Sequence, residues 1–356
     1  MKVCILGDGL VSLSLANVLI NNNILVDIFS KQKIKKKNKN RTLGISESNV
    51  EFFNENILSI EKLLWNIDKI EIFSENFKEE KILNFENNKN RLFSMIQNNN
   101  LNECLLKQLK KSNLIRFKNK IPNYENIKDK YKLIFDCDLN NSITKKYFFK
   151  KFNKKYFSYA YVTVIDHKRI KNNIATQIFT KNGPIAFLPI SEKQTSIVYS
   201  FKGNQNIKLN DLINKYNSKY NITKINNSDC FELQSSDMRS YYYKNILAFG
   251  DLIHKIHPLA GQGFNMSIRD IKQLMEIIKE KLNLGLDLDN SICQEFEKKT
   301  KHKNYLFSNG IDLIYEFFNF ENKINSKVIS KSIKYIGKNK VINKFFIKSA
   351  NEGIIV

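Results

Sequence analysis

Phe249-Gly250-Asp251-Leu252-Ile253-His254-Lys255-Ile256-His257-Pro258-Leu259-Ala260-Gly261-Gln262-Gly263-Phe264-Asn265 is the stretch that decides the fold. It reads as a strand, a loop and the start of a helix. Ile246 to Phe249 is a short apolar run ending in Gly-Asp, so Asp251 projects from a strand end as an acceptor for sugar hydroxyls. After Pro258, the Gly261-Gln262-Gly263 turn lets backbone N–H groups approach a ligand closely, and the periodic apolar residues from Phe264 onward begin a helix. The N-terminus of that helix stabilises negative charge, whether a phosphate or the N1/O2 edge of a reduced flavin. Gly-x-Gly before a helix is often only a tight turn. Here Gly-Asp, Pro and Gly-Gln-Gly-x-Asn occur together and in order, which is far rarer by chance than a glycine pair.

The N-terminus supplies a matching half. Val3-Cys4-Ile5-Leu6 is a buried-type strand, Gly7-Asp8-Gly9 a turn, Leu10 to Ile20 a periodic helix and Leu25 to Phe29 a second strand. This βαβ opening is the dinucleotide fingerprint, with Gly7 and Gly9 allowing approach to a pyrophosphate. Ser12 stands at the third glycine position and is small enough for the helix to pack on the strand. Ser30 stands where an acidic residue would hold the adenosine ribose, and a neutral hydroxyl makes the weaker hydrogen bond. Asp27 lies in the second strand, but alternation turns it away. Lys2 before an apolar run also suits a secretory leader, yet the Gly-Asp-Gly interruption and the lack of a small-residue cleavage site favour strand, turn and helix.

With both halves in view, the chain resembles the flavin-dependent aromatic monooxygenases of the para-hydroxybenzoate hydroxylase class, and within them the ubiquinone-biosynthesis hydroxylases. The resemblance runs from residue 1 to about 290. Arg41-Thr42-Leu43-Gly44-Ile45-Ser46 with Ser48 is similar to the family segment whose arginine sits near the flavin. Ile96-Gln97-Asn98-Asn99-Asn100-Leu101 is similar to the helix that passes the cofactor, which makes Asn98 a candidate contact. Ala175 to Phe179 and Gly183 to Ile190 resemble the substrate-domain strands, and the second of these points to the quinone branch. The family's middle motif, Asp-Gly then Asn-Ser then Arg, is altered in Cys137-Asp138-Leu139-Asn140-Asn141-Ser142-Ile143-Thr144-Lys145. Leu139 replaces the glycine, and Lys145 exchanges an arginine's bidentate fork for a point charge. In the family that segment helps bind both flavin and pyridine nucleotide, and the alteration touches direct use of NADPH more than flavin binding.

Composition sets wider bounds. A length of 356 residues permits two cores, and 42% hydrophobic residues excludes wholesale disorder. No apolar run approaches the roughly 20 residues of a spanning helix. Five dispersed cysteines suggest reduced thiols and a cytoplasmic setting, with Cys104 and Cys137 as core residues. No metal is expected, because no Cys, Asp or Glu cluster joins His254 and His257. The net charge of +23 reflects abundant lysine throughout, as in Lys31 to Lys39, read as a solvated loop; nucleic-acid binding is not expected without a recognisable module. From Asn322 to Asn351 there are eight lysines and no acidic residue, and Ile329, Ile333 and Ile336, then Val341 or Ile342 with Phe345 and Phe346, fall at helical spacing. Core-packing helices with solvated lysines and a basic amphipathic surface for an anionic membrane both fit this pattern. The implied substrate favours the membrane.

The expected fold is α/β: a Rossmann-like FAD-binding domain (1–68, 90–145 and 235–290) interleaved with a β-sheet substrate domain (69–89 and 146–234), plus a C-terminal helical region (291–356). Phe307, Ile314, Phe317, Phe318 and Phe320 form an aromatic core cluster there. The resemblance implies FAD, a polyprenylated phenol or quinone precursor and O₂, with hydroxylation of the ring through a C4a-hydroperoxyflavin. It implies electrons from NAD(P)H or from a reductase or ferredoxin, the latter favoured by Leu139 and Lys145. Gly261, Gln262 and Gly263 are expected at the isoalloxazine edge with Asn265 beside them, Asp251 at the ribityl and phosphate region, Pro258 at the active-site edge, and Phe187 and Pro189 in the ring pocket. No side chain is an evident acid or base. An epoxidase or isoprenoid reductase of the same fold, or a weakened scaffold subunit of a quinone-biosynthesis complex, are the alternatives.

Overall fold

The computed structural model describes residues 1–30, 41–75, 81–86, 92–203, 207–257, 261–324, 348–349 and 351–353. The basic stretch 31–39, Pro258 and the apolar stripe from Ile329 to Phe346 lie outside these residues.

Val3 to Leu6 are all fully buried, as a parallel strand covered on both faces requires. This strand, β1 (Lys2–Leu6), pairs in parallel with β2 (Leu25–Phe29) on one side and with Ile134–Asp136 on the other. The helix α1 (Leu10–Asn21) crosses between β1 and β2 and buries Leu13, Leu15, Ala16, Val18 and Leu19. β3 (Thr42–Ser46) leads into α2 (Glu47–Phe52) and belongs to a small three-stranded sheet with β4 (Trp65–Ile67) and β7 (Phe93–Gln97). Between β4 and β7 the chain forms β5 (Lys69–Ser74) and β6 (Lys81–Glu86), which join another sheet. After α3 (Asn98–Leu109), β8 (Ile115–Lys118) and β9 (Ile134–Asp136) return to β1 and β2.

α4 (Ser142–Tyr147) introduces the 17-residue strand β10 (Lys151–His167), the backbone of a nine-stranded sheet with β11 (Ile174–Thr180), β12 (Gly183–Pro189) and β13 (Gln194–Lys202). α5 (Leu209–Tyr216) and β14 (Ile222–Ile225) follow, and β15 (Asp229–Met238) carries that sheet through to Met238. β16 (Tyr242–Tyr243) and β17 (Ile246–Ala248) complete the first sheet, in the order β16-β17-β9-β1-β2-β8, and β18 (His254–Lys255) rejoins the second. The chain then runs into α6 (Gln262–Asn283) and α7 (Asn290–Ile324). Of the expected C-terminal cluster, Phe307 packs with Ile311, Met266, Phe179 and Ile82. The side chains of Ile314, Phe317, Phe318 and Phe320 lie outside the described residues. Among the described residues no helix is long and apolar enough to cross a membrane.

The nine-stranded sheet has two unlike faces, and the difference bears on the site. Tyr161, Ile165, Ile185, Phe187, Ile197 and Tyr199 point to the side where α5 packs. Opposite parity places Phe179 against α6 and α7, and Ala175 and Leu188 against the three-stranded sheet.

Candidate functional site

Two groups of glycines, each at the N-terminus of a helix, form the framework. In the first, Gly7 ends β1 with φ +108°, its N–H donates to Phe29 O at 2.8 Å, and a Cβ there would lie 3.4 Å from Asp138 N. Such a φ is open to glycine and costly to other residues. Gly9 is the N-cap of α1 and makes no side-chain cap, and a Cβ built on it would meet nothing within 4 Å. The first N–H groups of α1 thus have no side-chain cap, and the space a Cβ of Gly9 would take is open. Gly250 joins this group: its φ is +65° and a Cβ would sit 3.0 Å from Val11 Cγ1, so α1 packs directly on the turn that presents Asp251. Asp251 is exposed. Ser30 is buried at the end of β2, and its N–H donates to Lys118 O at 3.0 Å.

Two residues near this group have other duties. Ser12 is buried and donates to the Cys137 sulfur, while burial pushes the Cys137 thiol up to about 12. Ser12 therefore joins helix to strand end, in keeping with a small side chain at the third glycine position. Asp27 accepts from the Tyr131 hydroxyl and pairs with Lys2 (3.0 Å) and Lys118 (2.8 Å). Burial alone would raise its pKa, but these partners outweigh it and hold the carboxyl below the usual range.

The second group surrounds β3. Gly261, in the left-handed conformation (φ +61°), is the N-cap of the 22-residue α6, and its Cβ would lie 3.7 Å from Gly44 N. The pairing of Thr42 with Gln97 sets Arg41 beside the start of α3, where Asn98 N–H donates to Arg41 O at 3.0 Å. Arg41 is exposed and Asn98 half-buried. Gln262 Oε1 and Asn99 Oδ1 are buried with no hydrogen-bond partner. Each stands in the first turn of a helix without a side-chain cap. Asn99 carries no signal of its own in the sequence, because three consecutive asparagines do not show which one turns inward.

Asn265 departs from expectation. It is buried, its Nδ2 donates to Gly44 O (2.9 Å), and its Oδ1 accepts from Ser46 N–H (3.0 Å) and Asn49 Nδ2 (2.9 Å). Both ends of the amide serve the chain, so Asn265 ties α6 to β3 and α2 rather than touching a cofactor.

Phe187 and Pro189 are also corrected. Phe187 is buried against Tyr220, with ring centroids 6.0 Å apart, on the α5 side of the sheet. Pro189 shares its parity and pairs with Thr195, whose hydroxyl engages His167 and Asn172. The face toward β3 is carried instead by the intervening residues. Leu188 pairs with Ser196, and Ser196 Oγ accepts from Thr42 Oγ1 at 2.9 Å. The register places Val162, Val198, Ala186 and Gln177 in one row across four strands on that face. A one-residue shift in parity exchanges the two faces, and an alternation read without its neighbours does not fix which is which.

The altered middle motif is organised by a residue just ahead of it. Asp136, fully buried at the end of β9, accepts from Asn141 Nδ2 (2.7 Å) and Asp138 N–H (3.2 Å) and lies 2.7 Å from Thr144 Oγ1. Asn141 Oδ1 caps α4 by accepting from Thr144 N–H at 2.8 Å. Burial pushes the Asp136 carboxyl up to about 7, although these hydrogen bonds pull the other way. Lys145 and Leu139 are exposed.

Both histidines of this stretch are structural in their contacts. His254 Nε2 lies 2.6 Å from Asp270 Oδ2, and Asp270 Oδ1 accepts from Asn304 Nδ2, linking β18, α6 and α7. Burial lowers the His254 pKa, but Asp270 outweighs it and the net shift is upward. His257 stacks on Tyr315 (4.1 Å between centroids) and meets Tyr156 edge-on; burial, assisted by Lys154, pushes it down to about 3.

The arrangement fits a dinucleotide carrying a flavin. Open space in front of Gly9 admits a phosphate to uncapped N–H groups, and Asp251 is free to accept from hydroxyls. Gln262 Oε1 and Asn99 Oδ1 are buried acceptors that a donor on a ligand would satisfy.

Comparison with known proteins agrees. Residues 205–286 match the family described as FAD binding domain. The chain is 23% identical over 274 residues to the mitochondrial ubiquinone biosynthesis monooxygenase COQ6 of Schizosaccharomyces pombe, covering 63% of this chain and 57% of that protein. It is 26% identical over 152 residues to the 3-demethoxyubiquinol 3-hydroxylase of Escherichia coli, covering 40% and 39%. The matches thus span between 39% and 57% of these relatives. Among solved structures, p-nitrophenol 4-monooxygenase of Pseudomonas putida superposes with a TM-score of 0.79 at 11% identity, over 99% of this chain and 98% of that one. Klebsiella pneumoniae HpxO complexed with FAD and uric acid gives 0.74 at 11% identity, over 99% and 97%. The chain therefore has the fold of the FAD-dependent monooxygenases, carries a match to their FAD-binding domain, and is similar in sequence to the ubiquinone-biosynthesis hydroxylases.

Proposed function

We propose that this chain is an FAD-dependent monooxygenase that hydroxylates the aromatic ring of a polyprenylated ubiquinone precursor. The observation that carries the reading is the pair of uncapped, glycine-framed helix N-termini, one facing open space at Gly9 and the other bearing the unpartnered Gln262 Oε1. Bound flavin supplies the redox chemistry that activates O₂. Gly7, Gly9 and the first turn of α1 hold the pyrophosphate, Asp251 accepts from the ribityl hydroxyls, and Ser30 stands at the adenosine ribose. Gly261 to Gly263 meet the isoalloxazine edge, where the α6 dipole favours negative charge. Arg41 and Asn98 lie at the neighbouring end of β3, and Pro258 belongs to the active-site edge by its place in the motif. The row Val162, Val198, Ala186 and Gln177, with Leu188, walls the ring pocket and excludes water.

Because exposed Lys145 replaces an arginine and Leu139 a glycine, electrons come from a separate reductase or ferredoxin faster than from NADPH directly. Peripheral contact with an anionic membrane through the basic C-terminal stretch, and membership of a quinone-biosynthesis complex, follow from a substrate whose tail is held in a bilayer. Replacing Asp251 with alanine is expected to weaken FAD binding by roughly ten- to a hundredfold, the loss of a hydrogen bond to a charged group. Fluorescence titration with FAD, followed by substrate-dependent oxygen uptake, checks this. Wild-type affinity in Asp251→Ala would remove Asp251 from the site, and oxygen uptake indifferent to any prenylated phenol would favour the scaffold reading.

A further inference from the structure

The C-terminal residues return to the candidate site, and their contacts are specific. Ser46 is the N-cap of α2 but makes no side-chain cap. Its hydroxyl instead donates to Asn351 O at 3.1 Å, and Ser48 Oγ donates to the same oxygen at 2.6 Å. Asn351 Oδ1 accepts from Ser48 N–H at 3.1 Å, so the first turn of α2 is capped by a side chain 303 positions away. The next turn of the segment is fixed as well. Gly353 has φ +85°, and a Cβ on it would lie 3.1 Å from Arg269 Nε of α6, whose guanidinium stacks on Phe307 at 4.6 Å. Asn351 thus engages the end of β3 opposite to Arg41, while Asn265 holds Ser46 from the α6 side.

We propose that Asn351 is a positioning residue for the cofactor: with Gly353 it forms a strap that holds β3 and α2 against the N-terminus of α6, and so fixes Gly44, Gly261 and Gln262 for flavin binding. The inference rests on the flavin reading above. Asn351 touches no part of the expected cofactor site and acts through Ser46 and Ser48. An acceptor on residue 351 is the required feature, and a carboxylate at a helix N-terminus supplies one favourably.

The test uses the full chain and compares Asn351→Leu with Asn351→Asp. Asn351→Leu is expected to raise the FAD dissociation constant about tenfold and to speed amide exchange at Ser48, while Asn351→Asp restores both to near the wild-type values. Aspartate differs from the native asparagine by one side-chain atom and keeps the acceptor for Ser48 N–H, so recovery in Asn351→Asp assigns the effect to that acceptor. Unchanged FAD affinity in Asn351→Leu, or an equal loss in both variants, overturns the proposal. If the wild-type chain takes up no FAD, the flavin reading fails first; Ser48 exchange then separates a strap that is formed from one that is absent, and positioning of a flavin is withdrawn in either case.

Discussion

Asn265→Leu is expected to destabilise the protein by about 3 to 5 kcal/mol and to weaken FAD binding by roughly a hundredfold or more. Leucine fills nearly the same volume, so the loss isolates the polar contacts. It strands Gly44 O, Ser46 N–H and the Asn49 amide inside the protein, each with a desolvation cost of about 1 to 3 kcal/mol. The same contacts align the start of α6 with β3, so the cofactor site loosens along with the fold. Asn265→Asp keeps the acceptor for Ser46 and Asn49 and loses the donor to Gly44, and an intermediate effect is expected. Urea unfolding with FAD titration of each variant checks the order. A leucine variant as stable as the parent would show that the tether is dispensable.

Asp136→Leu is expected to cost a similar amount, about 3 to 5 kcal/mol, because Asn141, Thr144 and Asp138 would lose their common buried partner. The protonation of this carboxyl is set by burial working against its hydrogen bonds. The Thr144 hydroxyl is shared between Asp138 O at 2.6 Å and Asp136 Oδ2 at 2.7 Å, and with the Asn141 amide and Asp138 N–H it favours the ionised carboxyl. Burial outweighs them, raising the pKa from 3.8 to about 7. In the interval from about pH 4 to about 7 the folded chain holds a proton that the unfolded chain has released, so this group's contribution to stability is full below that interval and is lost as pH rises through it. The loss is on the order of 4 kcal/mol at most. Asp136→Asn, which carries a donor of the same shape, is expected to fold well and to remove this slope from a plot of stability against pH. An unchanged slope in Asp136→Asn would assign it to another group.

Much of the framework was legible because its signals are local. The fully apolar Val3 to Leu6 required a strand buried on both faces, and Gly7 and Gly261 mark left-handed or otherwise restricted backbone that the sequence states directly. What resisted reading depends on direction and on distance along the chain. Asn265 stands within the cofactor motif, but its position on α6 turns the amide toward β3. Phe187 lies on the α5 face of its strand rather than the face toward β3, a matter of parity that only the neighbouring strands decide. Asp136 sits immediately before the altered motif and accounts for its order, yet nothing in its apolar surroundings Ile134-Phe135-Asp136-Cys137 announces a hub. The cap that Asn351 places on α2 joins residues 303 apart, beyond any local pattern.

The most direct test of the central claim is equilibrium titration of the purified full chain with FAD, read by flavin fluorescence and followed by denaturation to release what is bound. The flavin reading predicts saturable, noncovalent binding of a single FAD per chain, weakened in Asn265→Leu and Asp251→Ala. A folded chain that neither carries FAD nor takes it up would contradict it.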